Sequence, residues 1–234
     1  PMKDFLTTTQ SAPPAISLGW FLVIVGLLVA LGWTSLRKYG DPAYVKTFRI
    51  IQIIQLTVLY TWYVVYSLPI SNSLPLYHCR LAMFALVLWP GKSRFKQYFA
   101  LLGASGAFFA LVYPVFDPYD FPHVTSFSFL VGHYALWVNA LIYLFKNYQP
   151  NLLKRWQLAV ITLAINAGLV LVNMLTGGNY GLLSEPPFIT GSPLWVIYLA
   201  VSLVLIAALL VADFLVANWK AKQALRPQEI YLEN

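Results

Sequence analysis

Seven times between Ile16 and Asn218 the chain runs for 16 to 26 residues with at most one charged side chain. A hydrocarbon core of about 30 Å takes roughly 20 helical residues to cross, and backbone amides inside it must bond within their own segment, so such runs specify membrane-crossing helices. The segments are Ile16–Ser35, Thr47–Leu68, Leu74–Trp89, Phe95–Tyr113, Thr125–Phe145, Trp156–Leu175 and Pro193–Asn218. With 59% hydrophobic and only 10% charged residues among 234, a single soluble domain would have too little polar surface to stay wetted. The expected fold class is an all-α integral membrane protein, a bundle of seven transmembrane helices.

Charge placement sets the expected orientation, because Lys and Arg in short loops concentrate on the cytoplasmic side. Arg37, Lys38, Lys46 and Arg49 flank the first loop, Lys92, Arg94 and Lys96 the third, and Lys146, Lys154 and Arg155 the fifth, while Lys220, Lys222 and Arg226 follow the last helix. The alternate loops hold Asp117, Asp120 and Glu185. This predicts the N-terminus outside and the C-terminus in the cytoplasm. One polytopic domain over 1–234 is expected, with an outer segment 1–15, a bundle 16–218 and a tail 219–234. The net charge of +7 then reflects the positive-inside bias and contact with anionic headgroups. No nucleic-acid partner is expected, since no soluble segment interleaves basic and aromatic residues. The first apolar run is full length and is followed by positive charge, so it is expected to remain a helix and not to act as a cleaved signal.

Polar side chains inside such helices cost free energy and turn inward, so their depth carries information. The third segment offers His78, Cys79 and Arg80 near its start, the fifth offers His133, and the sixth carries Asn166 and Asn173 on one face, continued by Gly177. At 1.5 Å per residue, Cys79, His133 and Asn173 all lie roughly 6–12 Å below the outer boundary. Asp117, Asp120, His123, Asn179, Tyr180 and Glu185 would rim that level. Gln52, Gln55 and Asp213 read as structural, the last within reach of a loop lysine. Trp62, Tyr63, Tyr66, Trp195 and Tyr198 read as interface anchors.

Cys79 is the single cysteine, so no internal disulfide is possible. A lone thiol in a helix can be a small apolar residue, and intramembrane His and Asn can be glue between helices. The functional reading is that His133 acts as base for a Cys79 nucleophile, with His78 as a further catalytic candidate and Arg80 near a lipid phosphate. Such a thiol would meet acyl esters at the glycerol level of phospholipids, which suits acyl transfer through a thioester. The alternative is a non-enzymatic carrier or binding protein for a small amphiphile, with the His and Asn residues lining its cavity. No metal site and no cofactor are expected, because no ligand pair stands at helical i, i+4 spacing. A retinal pigment would need a lysine inside the last helix, and Pro193–Asn218 has none. No G-x-x-x-x-G-K-[ST], H-E-x-x-H or G-x-S-x-G occurs, and the only Pro-Gln step is Pro227–Gln228.

Three stretches in order carry a family resemblance. "LPLYHCRL" holds Cys79, "FSFLVGHYALWV" holds His133, and "GGNYGLLSEPPFITGSPLWVIYLA" follows Asn173. Together they resemble the YwaF-like family of bacterial integral membrane proteins, which is related to vertebrate transmembrane acyltransferases that remodel ether phospholipids. The resemblance implies Cys79 as nucleophile and His133 as its partner. At the position of the family's lead-in histidine this chain has Tyr77, with His78 next. Tyr77, Arg80, Trp137, Asn173, Asn179 and Tyr180 are the expected substrate-binding residues, membrane phospholipids or other acyl lipids the expected partners, and a bacterial cytoplasmic membrane the expected location.

Overall fold

A computed structural model describes residues 2–187 and 189–232 of the chain, with side chains over 4–187 and 189–225. Residue 1 and residues 233–234, the extreme ends of the expected outer segment and tail, lie outside the described residues, as does the side chain of Arg226. The described residues form only helices and connections: α1 (Met2–Phe5), α2 (Leu18–Lys38), α3 (Pro42–Val65), α4 (Ile70–Ser73), α5 (His78–Leu88), α6 (Arg94–Val112), α7 (Val124–Asn147), α8 (Arg155–Thr176), a 3-10 turn Tyr180–Leu182, and α9 (Leu194–Leu232).

Six of these, α2, α3, α6, α7, α8 and α9, are long and apolar enough to cross a membrane. The chain is a multi-pass membrane protein. Helix starts follow local chemistry. The Ser17 hydroxyl accepts from the Trp20 amide at 3.3 Å, Asp41 caps α3 ahead of Pro42 through the Ala43 amide at 2.9 Å, and Ser93 caps α6 through the Lys96 amide at 3.1 Å.

The expected third helix, Leu74–Trp89, differs. Its first four residues are not helical, and α5 covers only 11 residues, about 16 Å of rise against a core of about 30 Å. Pro75 explains the break: it has no N–H to give a helix and biases the residue before it to extended backbone. The expected tail differs too, since α9 runs on as one helix through residues 219–232 instead of ending at Asn218. At the basic end of the bundle, Asp213 takes a hydrogen bond from the Tyr148 hydroxyl at 2.7 Å, not from a lysine.

Helices α6 and α7 form the centre. About half of each is buried (50% and 56%), against 17% for α2 and α9, whose large apolar side chains such as Trp20, Leu203 and Val204 face outward as lipid-facing residues should. The α3–α7 seam is polar inside: Gln55 Nε2 donates to Ser128 Oγ at 2.7 Å, and Gln52 Nε2 donates to Gln55 Oε1 at 2.8 Å. Gln52 and Gln55 are thus helix-to-helix links. α5 packs on α6 and touches α3 only lightly, leaving a cleft between α3 and α5.

Candidate functional site

Three consecutive residues open α5, and each turns to a different neighbour because successive helical side chains diverge by about 100°. Their own amides sit at the helix N-terminus, where no intrahelical carbonyl is in reach.

Cys79 turns to α6. Its Sγ lies 2.8 Å from where a Cβ on Gly106 would stand, so only glycine leaves room for the thiol there. One turn further along the same contact, a Cβ on Gly103 would meet Leu136 of α7 at 2.8 Å and Ala82 of α5 at 3.3 Å. These two contacts fix the register of three helices. Ala82, Leu136 and Gly103 meet at one level; Cys79, His133 and Gly106 are each three residues away on the same faces, all toward the start of α5. Cys79 packs in the apolar cluster that contains Leu56, Ala82, Met83, Ala107 and Leu136.

His133 is held by one nitrogen. Its Nδ1 is 2.7 Å from the Phe129 carbonyl, which can only accept, so Nδ1 carries the proton and Nε2 carries the lone pair. No hydrogen bond occupies Nε2 among the described residues, and none joins it to the thiol. The tautomer is the one a general base needs.

Arg80 turns to α3. Its Nη1 donates to the Tyr63 hydroxyl at 3.0 Å and the Tyr60 hydroxyl at 3.3 Å, and its guanidinium stands 5.5–5.7 Å from the ring centres of Tyr60, Tyr63 and Tyr77. Tyr63, expected as an interface anchor, is part of this cage. Tyr60 is the residue that sequence reasoning passed over; its spacing of three from Tyr63 on one helix face was the available signal. No carboxylate pairs with Arg80 among the described residues. The Asp117 carboxyl in the neighbouring loop feels its charge, and burial pushes that carboxyl up from the usual range against the pull of Arg80 and His123.

His78 turns the other way, to α8 and α9. Its Nε2 donates to Asn166 Oδ1 at 2.7 Å, and Asn166 Nδ2 donates to Ser202 Oγ at 2.9 Å. This chain of bonds ties α5 to two helices and directs the imidazole away from the thiol. The other Asn residues are likewise spent on structure. Asn173 brackets the Tyr180 backbone, accepting from its amide at 2.8 Å and donating to its carbonyl at 3.0 Å. Asn179 accepts from the Ser184 and Glu185 amides at 3.0 and 2.9 Å and donates to the Glu185 carbonyl at 2.9 Å.

Tyr180 is fully buried, and its hydroxyl accepts from the Leu74 amide at 2.9 Å and donates to the Ile70 carbonyl, so it pins the extended lead-in to α5. Tyr77 stands edge-on to Tyr180 at 5.1 Å. Trp137 faces α2, donating from Nε1 to the Leu28 carbonyl at 3.1 Å and packing on Gly32. The structure therefore sets Tyr77, Cys79 and Arg80 at the start of α5, with His133 on α7 at the level the helix register assigns to Cys79 but not bonded to it among the described residues, and places His78, Asn173, Asn179 and Tyr180 behind them as a brace. Trp137 lies a turn below.

A strap that the sequence did not announce crosses the same end. Trp62 Nε1 donates to the Leu6 carbonyl at 3.1 Å, His123 Nε2 donates to the Thr7 carbonyl at 3.0 Å, and the Ser11 amide donates to the Pro118 carbonyl at 2.8 Å. His123 also caps α7, its Nδ1 accepting from the Thr125 amide at 3.2 Å, while Tyr119 stacks on it at 4.2 Å. Burial holds the His123 pKa below the ordinary imidazole value, against the opposing effects of the Thr7 carbonyl and Asp117.

Among the described residues no three His, Cys, Asp or Glu side chains gather as metal ligands. Neither the curated proteins nor the solved structures contain a match to the chain. A family model does match, over residues 5–216, a stretch that takes in the whole of the site above. The chain belongs to the TMEM164 family.

Proposed function

We propose that the chain is a membrane-embedded acyltransferase or transacylase that moves a fatty acyl group from a phospholipid through a thioester on Cys79. The observation that supports this reading is that Cys79 and His133 each stand three residues from the Ala82–Gly103–Leu136 contact in the same direction, with no hydrogen bond to His133 Nε2 among the described residues. Both YwaF-like stretches that contain these residues support it.

In the first half-reaction, His133 Nε2 takes the thiol proton while Sγ adds to the ester carbonyl. The tetrahedral oxyanion is met by the amides at the start of α5, which lack helical acceptors. Collapse breaks the carbon–oxygen ester bond, and the leaving alkoxide recovers the proton from His133. In the second half, an acceptor hydroxyl gives its proton to His133, attacks the thioester, and releases Cys79. Water in the acceptor's role gives hydrolysis.

We place seven crossings in this reading. The extended residues 74–77 add about 13 Å to the 16 Å of α5, so that the third segment reaches across in two parts. The basic loops then face the cytoplasm, and the thiol faces the outer leaflet of a cell membrane, a bacterial cytoplasmic membrane by the YwaF-like resemblance.

The test is intact-protein and peptide mass spectrometry of the purified chain after incubation with mixed phospholipids, with and without neutral hydroxylamine. A hydroxylamine-labile acyl mass on Cys79 that is missing in His133→Ala is the expected result. An unmodified, slowly alkylating Cys79 with unchanged lipids would sink the acyl-transfer reading and leave the amphiphile-carrier alternative.

A further inference from the structure

The cleft between α3 and α5 is a groove of about 220 Å³ lined by Ile53, Leu56, Thr57, Tyr60, Phe84 and Val87, with Leu88 at its far end. Its lining recurs at helical spacing on both walls, 53, 56, 57 and 60 on α3 and 84, 87 and 88 on α5. Arg80 stands one turn above Phe84 on that same face of α5, and its hydrogen-bond partner Tyr60 is part of the groove wall. The groove is apolar along its length and has a single cation at one end.

That cation is under-used. Nη1 makes both of its hydrogen bonds, while Nε and Nη2 have no acceptor among the described residues. Among the described residues the buried side-chain polar atoms without a partner are Gln52 Oε1 and Ser126 Oγ, so the remaining Arg80 donors are not sealed in but open to whatever lies outside. A guanidinium with free donors and no carboxylate bonded to it among the described residues is matched by an anion that can accept two hydrogen bonds at once. Open rim residues such as Ile53, 42% exposed, and Leu88, 68% exposed, face the hydrocarbon, so the groove is reached sideways from the bilayer.

We infer that the α3–α5 groove holds the upper part of one acyl chain of a glycerophospholipid whose phosphate docks on Arg80. The length from Ile53 to Tyr60 is about 10 Å, enough for the upper part of a chain. With the phosphate on Arg80, the glycerol esters stand beside the start of α5, one residue from Cys79. Lipid binding in the groove is independent of catalysis. Its role as the path of the acyl donor rests on the acyl-transfer reading above.

Native mass spectrometry of the full chain in detergent tests this with three probes: phosphatidylglycerol, diacylglycerol with the same chains, and inorganic phosphate as competitor. Phosphatidylglycerol is expected to bind the wild type at least about tenfold better than diacylglycerol, the scale of one charge-assisted bidentate contact. Arg80→Gln should remove that preference and Arg80→Lys should restore part of it. Thr57→Trp, at an exposed rim position, should fill the groove and lower phosphatidylglycerol binding by a similar factor with Arg80 intact. Wild-type binding retained in both Arg80→Gln and Thr57→Trp overturns the inference, and so does full displacement by inorganic phosphate, which would make Arg80 a plain anion site. The hydroxylamine assay on the same variants separates the two ideas. Cys79 acylation that survives in variants without groove binding refutes the path while leaving acyl transfer standing. Groove binding without any acylation in the wild type does the reverse.

Discussion

The two sides of α5 treat buried polar groups in opposite ways. On the side of α8 and α9, His78, Asn166, Ser202, Asn173 and Tyr180 spend their hydrogen-bonding capacity on one another and on the backbone. On the other side, next to the start of α5, the Cys79 thiol, His133 Nε2 and two edges of the Arg80 guanidinium have no hydrogen-bond partner among the described residues. Both sets lie at similar depth in an apolar bundle, where an unmet polar group costs free energy. The first set is glue. The second holds donors and a lone pair in reserve, and that difference is what the proposed site rests on.

The largest expected effect sharpens this contrast. Cys79→Ala should abolish the labile acyl mass and lower transfer by on the order of 10³-fold or more, while thermal unfolding of the detergent-solubilised chain barely moves. His78→Ala should do the opposite, costing about 1–2 kcal/mol of stability from the broken α5–α8–α9 chain and leaving transfer per folded molecule within about threefold. Equal loss of transfer from folded His78→Ala would erase the distinction between the two sides. Next in size is Gly106→Ala. Its Cβ would stand 2.8 Å from Sγ, so the thiol must turn away, and alkylation of Cys79 should slow by about tenfold. An unchanged alkylation rate would mean that the thiol does not rest against α6.

A smaller effect belongs to the strap over the site. Because burial lowers the His123 pKa, the neutral ring is the folded form; its contribution is full above the ordinary histidine value of about 6.5 and is lost as pH falls through the lowered value. Protonation would fill Nδ1, which now accepts from the Thr125 amide. A spin label on Thr9→Cys in a Cys79→Ala background should become more mobile between pH 7.5 and 5, and a strap equally immobile at both would refute the link. Smallest is Asp117→Asn, which removes the carboxylate that competes for the Arg80 field. Binding of phosphatidylglycerol should rise by about twofold, and a fall would mean that Asp117 helps the lipid to bind.

Five of the six long helices, and the start of α9, are legible in the sequence to within about five residues, because hydropathy and positive charge act on whole segments and need no knowledge of partners; the end of α9 is not, since its polar extension past Asn218 stays helical. Sequence reasoning failed at Leu74–Tyr77, where apolar content continues but the backbone does not; Pro75 was the local sign. It also took Asn173 and Asn179 for site residues, since a polar stripe on a helix face looks the same whether it meets a ligand or the carbonyls of a returning loop. The Tyr60–Tyr63 cage and the strap at Thr7 are contacts between distant segments, which periodicity along one helix does not encode.

The divergence of His78, Cys79 and Arg80 also has a consequence for how such a protein can change over time. One helical turn points an anchor toward α8, a thiol toward α6 and a cation toward α3, and only the thiol and cation share a wall, through Leu56, Tyr60 and Phe84. Substitutions lining the α3 side can therefore alter the surroundings of the cation without loosening the anchor on α8 and α9. A lineage can vary one wall at a time, whereas inserting or deleting a single residue within the turn would rotate all three side chains at once.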